Sequence, residues 1–283
     1  ERIQIDDTLL EGEMPVVDTG ALFTQVVGVL GYGFGNFEIL PDTLAAPQPS
    51  NLNRSGVGVL ARGDTLSVAG YNVENLDPND EDGDTDVADG KFEAIAGQIV
   101  ERLGSPDIIG LQEVQDNNGS INDGVVAADQ TLQRLADAIV AAGGPRYAYT
   151  EVVPEAEADG GQPGGNIRVA YLYDASRVSL VEASGGVGDA TTATEVSTDA
   201  EGRLALTLNP GRVAPNDPAF NDSRKPVAAL FDFRGERVLL VNNHFASKGG
   251  SSPLFGAIQP YENGSVDQRI AQAAAVNAFV DDA

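Results

Sequence analysis

Apolar and polar positions alternate along the first part of this chain and then change period. Arg2-Ile3-Gln4-Ile5 and the Gly-rich run VVGVLGYGFGNFEILP read as short strands and turns, while PDTLAAPQPSNLNRSG over 41–56 reads as a linker or covering loop. Residues 1–63 are therefore expected to form the tail of a small β domain with its linker. From Leu66 onward strands and helices alternate. LSVAGYNV and DIIGLQEV are strands, and between them the spacing predicts a helix over 91–103 with Phe92, Ile95, Ala96, Ile99, Val100 and Leu103 on one face. A second helix over 129–142 carries Leu132, Leu135, Ala136, Ile139 and Val140. RYAYTEV, NIRVAYLY and RVSLVEA follow as strands, and PVAALFDF with RVLLVNNHF predicts a hairpin turning near Arg234-Gly235. A last helix opens at Ser265, with Gln268 three residues on as a capping box, and places Ile270, Ala273, Val276 and Val280 on one stripe. It reaches Ala283 without a stop signal. The pattern predicts an α/β domain over 64–283, with helices layered on sheet.

Composition narrows the chemistry. The 283 residues hold 42% hydrophobic positions, enough for a large core, and no apolar run approaches the roughly 20 residues a membrane-spanning helix needs. With no Cys, disulfides, thiolate metal sites and Cys nucleophiles are excluded, so any metal must sit on oxygen ligands or on His244, the single His. The net charge of −26 argues against nucleic acid as a partner until its distribution is considered. Between Arg203 and Lys248 lie seven basic residues (Arg203, Arg212, Arg224, Lys225, Arg234, Arg237, Lys248) against four acidic ones, a local +3. An acidic, Lys-poor remainder suits salt- or calcium-rich surroundings, which screen its self-repulsion, and points to a secreted, extracellular setting.

Four separated segments carry candidate chemistry. YNVENL puts Asn72 at a strand end, and PDIIGLQEV puts Glu113 at the carboxyl end of the next strand. NDSRKPVAALF offers Arg224 and Lys225 before a strand, and NNHFASKGG offers Asn243, His244 and Lys248. By residue type alone these have plain readings: a solvated strand-end Glu, a turn-forming Asn, a core His, a solvated charge pair. Arg168, in GNIRVAYLY, needs a partner if it faces inward; substrate phosphate or an active-site carboxylate would serve. The run DPNDEDGDTDVADG packs seven acids into 14 residues. Read as a calcium loop, Asp82, Asp84, Asp86 and Glu93 fall at positions 1, 3, 5 and 12, but Val87 stands where Gly is needed, so a flexible acidic loop is expected.

Together and in order, the four segments resemble the endonuclease/exonuclease/phosphatase superfamily, in particular its secreted bacterial extracellular nucleases, over roughly residues 66–283. The resemblance implies a fold of two packed mixed β-sheets with helices outside, a four-layer α/β/β/α sandwich with a small N-terminal β extension. It implies that Glu113 anchors Mg2+, with Mn2+ or Ca2+ as alternatives, and that Asn72 orients the ligand shell or a phosphate beside it. His244 would stabilise charge on the scissile phosphate, and Arg224, Lys248, Arg168 and Asn243 would position it. DNA is the expected substrate, RNA the second choice.

Relatives supply the carboxylate and His that activate water from a Gly-Asp-Phe-Asn segment and a terminal Asp-His pair. Neither occurs in this chain after its last helix, so the domain is expected to be C-terminally incomplete and the 283-residue chain inactive or nearly so. Two rival readings remain. One keeps the fold but turns it to lipid or sugar phosphates, and the other makes the chain a non-catalytic acidic module binding calcium or a surface partner.

Overall fold

The computed structural model describes residues 3–50, 52, 56–57 and 62–283; Arg2, the linker positions 51 and 53–55, and residues 58–61 lie outside the described residues. The chain forms two compact units, Glu1–Ser55 with Ser247–Val266, and Gly56–Ala246 with Asp267–Ala283. Residues 247–266, grouped by sequence with the second region, thus belong to the first unit.

In the first unit β1 (Gln4–Ile5), β2 (Val26–Gly33) and β3 (Asn36–Leu44) form a sheet of order β1-β3-β2. Phe34 and Gly35, both at positive φ, make the two-residue turn whose twist matches a hairpin. Because β3 runs on to Leu44, the first residues of the expected linker are strand. A backbone bond from Phe37 N to Phe255 O, with Phe255 N donating to Asn36 Oδ1, attaches the 247–266 segment to this sheet.

The second unit is the layered domain. β4 (Val68–Leu76), β5 (Ile108–Val114), β6 (Ala148–Glu151) and β7 (Arg168–Tyr173) form a mixed sheet of order β4-β5-β7-β6, parallel between β4 and β5 and antiparallel beyond. β8 (Ser179–Leu180) belongs to a second sheet, and β9 (Val196–Thr198) pairs with β10 (Leu204–Leu206) as a small ribbon. β11 (Gly211–Arg212), β12 (Val227–Phe233) and β13 (Glu236–Asn242) complete the second sheet, whose paired strands run antiparallel. The β12–β13 hairpin turns at Arg234-Gly235, where both residues take positive φ.

Strand periodicity builds the layers, because successive side chains point to opposite faces. Ile109, Leu111, Ala170 and Leu172 face α1 (Lys91–Gly97) and α2 (Asp129–Ala141), meeting Phe92, Ile95, Leu132 and Leu135. Their neighbours Ile108, Val169 and Tyr171 face the other way, onto Val227, Ala229 and Phe231 of β12. Ala228 and Leu230, on the far face of β12, pack with Leu206, Val213 and Phe279. Phe279 belongs to α3 (Val266–Asp281), so the order is helix, sheet, sheet, helix. The protein is an α/β sandwich of two packed sheets with helices outside.

Two elements depart from their sequence patterns. α1 continues as π-type turns over Gln98–Arg102, keeping Ile99 in the core. α3 does not bury the expected Ile270 and Val280 stripe, since Ile270 is 63% and Val280 46% exposed; its fully buried residue is Gln272. Gln268 spends its amide on the carbonyls of Ala219 and Asn221. This helix is held by polar bonds that a hydrophobic pattern does not register.

Candidate active site

The two strands that carry Asn72 and Glu113 lose their regularity at those residues. The β4–β5 pairing is irregular between Asn72 and Leu76, the β5–β7 pairing between Leu111 and Val114, and Glu113 itself adopts φ 62°. A non-glycine residue at positive φ is uncommon and marks imposed strain. Such breaks in a ladder re-aim a side chain out of strict alternation. Here Asn72 Nδ2 donates to Glu113 Oε1 over 2.8 Å, while Asn72 Oδ1 accepts from Glu74 N at 2.8 Å.

The second sheet brings the other pair. His244 follows β13, and its Nε2 lies 3.2 Å from Glu113 Oε1. Arg224, just before β12, donates from Nε to His244 Nδ1 over 3.2 Å and from NH2 to Phe245 O over 3.1 Å. Asn72, Glu113, His244 and Arg224 therefore meet in one continuous chain of contacts, drawn from four segments up to 172 positions apart in sequence.

This geometry fixes the protons. Because Arg224 Nε–H donates to Nδ1, the imidazole carries its proton on Nε2, the nitrogen that lies 3.2 Å from Glu113 Oε1. Burial lowers the His244 pKa from its ordinary 6.5, the Arg224 charge lowers it further, and Glu113 acts in the opposite sense. The neutral form is thus the resident one. Since the folded value lies below the unfolded one, the stability this gives is complete above pH 6.5 and is lost as pH falls through the folded value. Burial also lowers the Arg224 pKa, with Glu113 and Asp159 opposing it.

Beneath the site a polar bridge joins the sheets. Asn242 Nδ2 donates to Leu111 O and Ala170 O, and Asn242 Oδ1 accepts from Gln112 Nε2 at 2.6 Å. A Cβ on Gly110 would stand 3.2 Å from the Asn242 side chain, which accounts for glycine there. The Tyr171 hydroxyl makes a second bridge, 2.9 Å from Val227 O and 3.1 Å from Leu240 O. Nothing in the sequence distinguished Asn242 from the flanking asparagine.

Three other expected residues take no part in this chain of contacts. Arg168 is almost fully buried, pairs with Glu151 at 2.8 Å and bonds the Asn166 carbonyl, so it is a core ion pair and does not contact a substrate. Asn243 donates to Val241 O and leaves its Oδ1 buried without a partner among the described residues. Lys248 is in the first unit, in a turn where its carbonyl accepts from Ser251. The basic window is largely neutralised internally. Arg203 and Arg237 face Asp199, Arg212 and Lys225 share Asp159, and Arg234 meets Asp64. Arg224 makes no ion pair among the described residues, and its NH1 donates to none of them.

The acidic loop folds into a cluster different from the one tested by position. Asp77, Asp82 and Asp84 place carboxylate oxygens within 4.8 Å of one another, while Asp86 pairs with Lys91. Burial, with the charges of Asp82, Asp84 and Asp86, raises the Asp77 pKa from 3.8 to about 7. A folded value above the unfolded one stabilises below pH 3.8, and this is lost as pH rises through about 7. Asp77→Asn is therefore expected to raise stability by about 1–3 kcal/mol at pH 8 and to flatten its pH dependence. Denaturant unfolding at pH 5 and pH 8 checks this, and equal pH dependence in both proteins would refute it.

A family model described as a domain of unknown function (DUF8508) matches residues 1–49. Comparison with curated proteins gives no match. Among solved structures the chain is similar to a humanized D. rerio TDP2 carrying 14 mutations (15% identity, 77% of this chain and 57% of that one, TM-score 0.37). It is also similar to a functionally unknown conserved protein from Enterococcus faecalis V583 (14% identity, 77% and 61%, TM-score 0.38). A third is an endonuclease/exonuclease/phosphatase family protein from Leptotrichia buccalis C-1013-b (13% identity, 74% and 63%, TM-score 0.34). The chain spans between 57% and 63% of the length of these structures. Function is accordingly read from the side chains of the site.

Proposed function

We propose that this chain belongs to a divalent-metal-dependent phosphodiester hydrolase, an extracellular nuclease acting on DNA. The observation that supports this reading is the contact chain Asn72–Glu113–His244–Arg224, built on two strained strand ends and the mouth of a hairpin. Glu113 Oε1 is occupied by Asn72 and His244, whereas Oε2 accepts from no described residue. One open carboxylate oxygen on a partly exposed side chain suits Mg2+, which dehydrates reluctantly and is held by one or two carboxylates plus substrate phosphate. When bound, the metal would act as a Lewis acid on phosphoryl oxygen.

The chain's own residues do the rest. Arg224 presents its remaining NH1 to a phosphate oxygen, a charge-assisted bond from a guanidinium that burial holds rigid. His244 keeps its proton on Nε2, from which it can donate to an oxygen on which charge develops. Asn72 holds the Glu113 carboxylate in register. An extracellular setting rests on the absent Cys and the acidic surface.

The test has an activity arm and a binding arm. Plasmid DNA, sphingomyelin and inositol phosphates are incubated with the chain and magnesium, with and without chelator; because the water-activating carboxylate and His are lacking, only slow nicking of DNA, abolished by chelator, is expected. Mn2+ is then titrated into labelled protein, where it should broaden the ring signals of His244, the sole imidazole. Glu113→Gln should remove the broadening. Turnover of a lipid or sugar phosphate in place of DNA would overturn the substrate, and no broadening would overturn the metal site.

No helix among the described residues is long and apolar enough to cross a membrane.

A further inference from the structure

Gln272 lies in the mainly apolar stretch IAQAAAVNAFV of α3, where the only other polar residue is Asn277, yet it is the one position of the helix with no exposed surface. A buried primary amide is costly unless each polar atom is bonded. All of them are. Its Oε1 accepts from Ala246 N at 2.9 Å, and its Nε2 donates to Ala219 O at 3.0 Å and to Ser223 Oγ at 2.8 Å. The partners belong to two different segments. Ser223, itself fully buried, immediately precedes Arg224, and Ala246 follows His244 by two residues. The neighbouring side chains reinforce the pattern, with Gln268 on Ala219 O and Asn221 O and Arg269 on Ala246 O.

We propose that Gln272 is a positioning residue: by tying the Ser223 and Ala246 segments to one rigid helix, it keeps Arg224 Nε against His244 Nδ1 and so selects the imidazole tautomer that presents its proton to Glu113. The same two segments are joined directly through Arg224 to His244 and to the Phe245 carbonyl. A 3.2 Å contact between flexible side chains holds one geometry only if the backbones beneath are fixed, and Gln272 supplies that fixing from a third element. The titratable and charged groups facing the imidazole are Arg224, from the segment before β12, and Glu113, from β5. Release of Arg224 from Nδ1 removes the donor that keeps this nitrogen unprotonated, so the tautomer should respond. Its meaning for catalysis rests on the nuclease reading, but its effect on the ring does not.

Having one His makes the readout direct, since long-range 1H–15N correlation of the full chain reports the tautomer of His244 alone. Wild type should show the proton on Nε2, with Nδ1 accepting from Arg224. Gln272→Met keeps the volume and removes the amide; the Nδ1–H tautomer should become populated. Gln272→Glu keeps an acceptor for Ala246 and, when protonated, one donor; it should fall between the two and carries the test if the Met variant does not fold. Gln268→Ala, which removes bonds from the same helix without touching the Ser223–Ala246 tie, should lower Tm and leave the ring unchanged. A folded Gln272 variant with lowered Tm but the wild-type tautomer would overturn the proposal. If the ring responds and Mn2+ leaves the His244 signals unbroadened, the positioning role stands and the metal-dependent nuclease reading falls.

Discussion

Glu113→Gln is expected to abolish whatever magnesium-dependent cleavage the chain retains, lowering the rate by on the order of 10²–10³-fold or more, while leaving the fold intact. The substitution keeps an Oε1 acceptor for Asn72 and His244, so neither neighbour loses its partner. What changes is the charge and the second oxygen, the one that accepts no hydrogen bond and is open to a cation. Glu113 also raises the His244 pKa, so neutralising it should depress that pKa further, which separates an electrostatic loss from unfolding. Initial rates of plasmid nicking, circular dichroism and the His244 titration check all three. A variant as active as the parent would mean that this carboxylate takes no part in the reaction.

The layers were legible in the sequence because each rests on periodicity. Phe92, Ile95 and Ile99, and Leu132, Leu135 and Ile139, recur at helical spacing and all reach the core. The β12–β13 hairpin follows from two apolar runs around Arg234-Gly235. The site was legible only in part. Asn72, Glu113, Arg224 and His244 stand in recognisable segments, and the structure brings them together. What the sequence could not show was how charge is partitioned. A count of basic residues from 203 to 248 does not reveal that Asp159, 44 positions before the window opens, neutralises two of them. Arg168 inward-facing needed a partner, and pairing across β6–β7 supplies Glu151 rather than a substrate. Gln272 and Asn242 were invisible for a related reason, because a buried amide with all its bonds made leaves no signature in hydrophobic spacing.

Asp159→Ala is expected to destabilise the domain by about 3–5 kcal/mol, the cost of leaving buried charge uncompensated, and to lower Tm by roughly 10 °C on the scaling for chains of this size. Asp159 is 4% exposed, accepts from Arg212 NH1 at 3.2 Å and NH2 at 2.6 Å, and lies 3.0 Å from Lys225 Nζ. Its removal strands two cations, one of them adjacent to Arg224, and also takes away a charge that holds the Arg224 pKa up. Arg212 then keeps only the Ala190 carbonyl and Lys225 those of Ala158 and Ser223, none of which carries a charge. Replacing the three charged residues together by apolar ones, Asp159→Leu with Arg212→Met and Lys225→Met, should recover most of the stability, because the apolar set needs no compensation. Thermal unfolding of the single and triple variants decides the matter. A single variant that melts with wild type would show that water reaches these cations and that the ion triad does not anchor the segment carrying Arg224.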